Sequence, residues 1–157
     1  MSTPIGDNNG EGFQLELFGL GPPQLGAIFV KPCDGNVKEI LKAVSSKEAR
    51  AILDIRETPF LNFGDMSRES FFSWLEKEDA SYVNVHVWRR RAKADTVADF
   101  FCGCERPQEV GDLLKTVFEY GSFVVFSDQD PRVDPSVTAL QFAMKKSNPE
   151  LGVSYID

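Results

Sequence analysis

Apolar positions along this chain recur at three different spacings, and each change of spacing marks an element. Phe13, Leu15 and Leu17 alternate with Gln14 and Glu16, the period of a half-buried strand, and a turn-rich segment from Gly19 to Pro23 follows. Ala27 to Val30 fits either a short second strand or part of a packed loop. Val37, Ile40, Leu41 and Val44 then recur at three and four, a helix that Asp34 or Asn36 can cap. Ala51, Ile52, Leu53 and Ile55 are apolar with few gaps, which suits a central strand covered on both faces, and Pro59 stops its pairing.

The second half repeats the scheme. Ser67 opens a helix carrying Phe71, Phe72, Trp74 and Leu75. A strand is predicted from Tyr82 to Val87, and a basic loop from Trp88 to Lys93. A short helix over Thr96 to Phe101 precedes a longer one that Pro107 starts, with Val110, Leu113, Leu114, Val117 and Phe118 on one stripe. Phe123 to Phe126 reads as a buried parallel strand, Pro135 begins the last helix, and Val153 to Ile156 closes the chain as a strand. Strands and helices alternate nearly throughout. The expectation is an α/β three-layer sandwich, a mostly parallel sheet of about four or five strands with helices on both faces.

Composition narrows the class. The 157 residues fit one domain, 13–157, after a polar segment 1–12 that has nothing to bury and reads as a disordered N-terminal tail. That segment has neither a basic start nor an apolar core, so it is not a secretory signal, and a cytoplasmic protein is expected. No apolar run approaches the roughly 20 residues that span a bilayer. With 17 basic and 24 acidic residues the net charge is −7, which disfavours nucleic acid as a partner. Three cysteines, Cys33, Cys102 and Cys104, are too few and too odd for a disulfide framework. Together with His86 they match the number of ligands in a structural zinc site. The single residue between Cys102 and Cys104 is too short for a zinc knuckle, so no metal is assigned and the thiols read as free and partly buried. No cofactor is assigned either.

The candidate chemistry gathers where strands end. Residues two apart on a strand share a face, so Asp54 and Arg56 can neutralise each other as the central strand leaves the core. If the strands ending at Arg56, Val87 and Phe126 are parallel, their exits collect Arg56, Arg89, Arg90, Arg91, Ser127, Asp128, Asp130 and Arg132 at one edge, the edge where open α/β sheets place ligands. Guanidinium groups there suit a phosphate or carboxylate ligand, with Arg56, Arg89, Arg90, Arg91, Arg132 and Ser127 as binding groups and Asp54 and Asp128 as orienting groups or a general base. The same residues serve equally as a structural ion pair and a solvated loop. His86, the single histidine, is either a base or part of a polar stripe with Tyr82 and Asn84. Phe100-Phe101 and Phe60-Leu61-Asn62-Phe63 are apolar for loops and suit a protein partner, a homodimer contact, or burial beneath a large loop.

This order of segments resembles domain-of-unknown-function family 488. Phe18-Gly19-Leu20-Gly21 stands for that family's first loop, Asp54-Ile55-Arg56 with Pro59 for its Asp-Val-Arg motif, Phe71 to Leu75 for its helix and Ala80 to Val83 for its next strand. Similar proteins carry a Cys-Ala-Glu-like turn after the fourth strand and then a Cys-His-Arg cluster. Here Phe126-Ser127-Asp128 and Asp134-Pro135-Ser136 occupy those places, so the resemblance implies the scaffold without the reactive cluster. Leu53 to Glu57 is also similar to the Ile-Asp-Val-Arg-Glu strand of rhodanese-like domains, with Ser127 in the place of their catalytic cysteine. Two function classes follow: a domain binding a small anionic ligand at the carboxyl edge of the sheet, or a non-catalytic protein-interaction module.

Overall fold

The computed structural model describes residues 25–62, 64–102 and 106–157. The expected tail and the expected strand at Phe13 to Leu17 lie outside them. The described residues form five strands and six α-helices in the order β1 (Gly26–Val30), α1 (Val37–Ser45), β2 (Ala51–Asp54), α2 (Arg68–Lys77), β3 (Ser81–Asn84), α3 (Val85–Ala92), α4 (Val97–Cys102), α5 (Pro107–Tyr120), β4 (Phe123–Phe126), α6 (Pro135–Ser147) and β5 (Gly152–Tyr155). All four pairings are parallel and the sheet order is β3-β2-β4-β1-β5. The α/β reading with a parallel sheet of five strands is therefore correct, and Ala27 to Val30 is strand rather than loop.

Every residue of β2 and β4 is buried, as their unbroken apolar runs require of strands covered on both faces. On one face Ile40, Ala43 and Val44 of α1 and Phe71 and Leu75 of α2 pack against Val30, Ile52, Val124 and Phe126. On the other, α3 to α6 pack against Phe29, Leu53, Phe123 and Val125. Among the described residues no helix is long and apolar enough to cross a membrane.

Three expectations are corrected. The strand starting near Tyr82 ends at Asn84, and Val85 to Ala92 is helix, so His86 and Arg89 to Arg91 lie on a helix instead of a strand and a loop. Val-His-Val mimics a period of two, but the Asn84 side chain accepts the His86 amide hydrogen as an N-cap, and Lys93 closes the helix in the left-handed region at φ 57°. Phe100 and Phe101 are buried in α4 against the core, so they line no partner groove; Phe60, in contrast, is 62% exposed. Cys33 and Cys102 are exposed rather than partly buried.

The positions of two phenylalanines yield a direct test. Phe100→Ala removes a fully enclosed ring and should cost about 3–5 kcal/mol in urea unfolding, whereas Phe142→Ala, at a position 75% exposed, should stay within about 0.5 kcal/mol. Equal effects would contradict this packing.

Candidate functional site

The carboxyl edge of the sheet is built around Asp54, which is fully buried at the end of β2. Its Oδ1 accepts from Arg56 Nε at 2.9 Å and from the Arg56 backbone N–H at 3.2 Å. Its Oδ2 accepts from Arg56 Nη2 at 2.7 Å and from the Tyr82 hydroxyl at 2.7 Å. Arg56 is 7% exposed, and its guanidinium also lies 5.2 Å from the centroid of the Phe126 ring. The face-sharing spacing read from the sequence thus produces a bidentate buried pair. Tyr82 completes it because the β2–β3 register sets Tyr82 opposite Ile52, two residues from Asp54 and within diagonal reach of a long side chain.

Burial alone would lower the Arg56 pKa, but the hydrogen bond and charge of Asp54 outweigh it and the pKa is raised. Burial, and then the charge and hydrogen bond of Asp54, push the Tyr82 phenol well above its ordinary value. The Arg56 guanidinium therefore keeps its charge and the Tyr82 phenol its proton.

His86, on the first turn of α3, joins β2 to that helix. Its Nε2 lies 2.7 Å from the Arg56 carbonyl oxygen, and its Nδ1 accepts from Arg89 Nε at 2.9 Å. Since Nδ1 accepts, the ring proton is on Nε2 and donates to Arg56. Arg89 spends Nη1 on the carbonyls of Ala94 and Asp95. Glu57 donates its backbone N–H to Asp128 Oδ2 at 2.7 Å and accepts the Val97 N–H on Oε2 at 2.7 Å, tying the exits of β2 and β4 to the start of α4.

After β4 the chain turns through residues 127–134. Ser127, 1% exposed, aims its hydroxyl at the carbonyls of Gln129 (2.8 Å) and Val30 (3.3 Å). Asp134 caps α6 by accepting the Ser136 N–H at 2.8 Å on Oδ1 and takes the Gln129 N–H at 3.2 Å on Oδ2. Arg132 lies over the Tyr155 ring at 4.5 Å and pairs with Asp157 at 2.9 Å and Asp130 at 3.5 Å. Those partners raise its pKa, the Asp157 bond most.

The expected residues therefore separate into three groups. Asp54, Arg56, Asp128 and Arg89 meet at the end of β2, through His86 and Glu57, while Ser127 bonds to the Val30 and Gln129 carbonyls. Arg132 belongs to a second cluster toward β5, and Arg90 and Arg91 are exposed on α3, with Arg91 over the Trp88 ring at 5.1 Å. Tyr82 and Glu57 were not anticipated as members, nor Asp134 as the cap of α6. Among the described residues no nucleophile lies beside a base here: the Ser127 hydroxyl faces carbonyls, and the accepting nitrogen of His86 is taken by Arg89. Among the described residues no group of three or more His, Cys, Asp or Glu side chains is placed to hold a metal ion.

Tyr82→Phe removes a hydrogen bond to a buried charge and should cost about 1.5–3 kcal/mol near neutral pH. The pH dependence has a definite sign. The Tyr82 pKa is higher in the folded state, so its contribution is fully present below about pH 10, where the unfolded phenol titrates. It is lost as pH rises further and only the unfolded chain gives up this proton. Urea midpoints from pH 8 to 11 should fall more steeply in the parent protein than in Tyr82→Phe; parallel curves would refute the assignment.

No protein-family model matches this chain, and neither a curated protein nor a solved structure matches it.

Proposed function

We propose that this chain is a non-catalytic binding module on a scaffold resembling domain-of-unknown-function family 488, its reactive cluster replaced by internal hydrogen bonds. One observation carries the reading: carboxylates of the protein itself occupy the Arg56 guanidinium and the backbone amides at the ends of β2 and β4. Asp54 holds Arg56, Asp128 takes the Glu57 amide, Glu57 takes the Val97 amide, and Asp134 takes the amides of Gln129 and Ser136. For Arg56 to bind an external anion it would have to abandon a fully buried carboxylate, a loss of about 3–5 kcal/mol that a small phosphate contact does not recover. Asp134-Pro135-Ser136, where similar proteins carry their Cys-His-Arg cluster, supplies a helix cap. Phe60, 62% exposed on the loop after β2, is the kind of aromatic anchor that a protein partner buries.

NMR titration with inorganic phosphate, sulfate and AMP at millimolar concentration tests this. The Arg56 Nε–H signal and the amide signals of Gln129 and Ser136 should show no saturable shift, and Arg56→Ala should lower stability by about 3–5 kcal/mol. A saturable, salt-sensitive shift of those signals that is lost in Arg56→Lys would overturn the proposal in favour of an anion site.

A further inference from the structure

Two crevices flank β4 at the carboxyl edge. The exits of β1 and β2 lead to α1 and α2 on one face of the sheet, and the exit of β4 leads to α6 on the other. The chain therefore diverges on both sides of β4, the arrangement at which open α/β sheets take ligands. At the β2–β4 crevice the Arg56 guanidinium and the Glu57 amide are committed to Asp54 and Asp128. The β1–β4 crevice is open, with a volume of 260 Å³, below the roughly 300–1,000 Å³ of sites for drug-sized molecules.

Its lining has a definite chemistry. Lys31 and Arg132 supply two cations, Asp130 and Asp157 two carboxylates, and Pro131 and Ile156 an apolar wall. The four side-chain charges cancel, so an ion of either sign gains little from these side chains together, whereas a molecule carrying both signs can be matched by them. Arg132 is already committed to Asp130 and Asp157. The bonds recorded to these two carboxylates fall on Oδ1 in each case, including the Arg132 backbone N–H to Asp130 at 3.0 Å, which leaves Oδ2 of each to accept an ammonium group. Among the described residues Lys31 makes no ion pair, and it is the cation left for a carboxylate. Its backbone is fixed by Asn36, 3% exposed, whose Nδ2 donates to the Lys31 carbonyl at 2.9 Å and whose Oδ1 accepts the Cys33 amide hydrogen at 3.0 Å.

We propose that this crevice binds a small zwitterion, an α-amino acid with an apolar side chain: carboxylate to Lys31, ammonium to Asp130 and Asp157, side chain against Pro131 and Ile156. The proposal extends the binding-module reading to a different crevice from the one that reading closes.

The test uses L-leucine as probe, with leucinamide, which lacks the carboxylate, 4-methylpentanoate, which lacks the ammonium, and inorganic phosphate as comparisons. Amide signals of Lys31, Cys33, Asp130, Arg132 and Ile156 are followed by NMR. Leucine should give saturable shifts confined to these residues, the two truncated probes should bind about tenfold or more weakly, and Lys31→Met and Asp157→Asn should each weaken leucine to a similar degree. Both variants alter exposed side chains, and their thermal midpoints confirm folding. Equal binding of 4-methylpentanoate, equal binding of phosphate, or no saturable shift with leucine would each overturn the proposal. None of these results involves the Arg56 signals, so this inference can fail while the binding-module reading stands, and the reverse.

Discussion

A carboxylate removed completely from water must be given back its hydrogen bonds by the protein, and Asp54 imposes that requirement on the middle of the sheet. Its oxygens receive the Arg56 backbone N–H, two guanidinium nitrogens and the Tyr82 hydroxyl. Meeting it draws Arg56 inward across the Phe126 ring. The turn that results presents the Arg56 carbonyl to His86, and His86 in turn orients Arg89. Three adjacent strands, β3, β2 and β4, are thereby joined at their ends by side chains as well as by the ladder.

The consequence for function runs against a simple reading of charge. Arginines and aspartates converge on one edge, as they do in sites that hold phosphate, but convergence does not distinguish charges held for a ligand from charges held for each other. The distances do. Bonds of 2.7–2.9 Å join Arg56 to Asp54, and the amides of Glu57, Val97 and Ser136 are committed to Asp128, Glu57 and Asp134. Beside them, the β1–β4 crevice keeps an exposed Lys31 and two half-used carboxylates.

Much of the fold was legible because long amphipathic helices and unbroken apolar strands each have a period that a sequence displays. The Asp54–Arg56 pair was legible for the same reason, being set by spacing within one strand. Tyr82 was not, since its contact with Asp54 depends on the register between β2 and β3, which no local pattern encodes. The start of α3 was hidden by Val85 and Val87, whose branched side chains suggest a strand, while the deciding bond is a single cap from Asn84. Glu57 and Asp134 act on backbone amides, and nothing in their neighbours' identities reveals that.

The sheet order also has a temporal side. β1 and β2 are not neighbours; β4 lies between them, pairing Ile28 and Ile52 with Val124 on its two edges. A chain emerging from the ribosome therefore carries two finished apolar strands with nothing to join them until residues 123–126 appear, some seventy positions after β2. During that interval α1 and α2 can cover one side of these strands and β3 can pair with one edge of β2, but the edges that β4 will take stay open to other chains. Synthesis, more than the finished molecule, is when this protein is most exposed to misassembly.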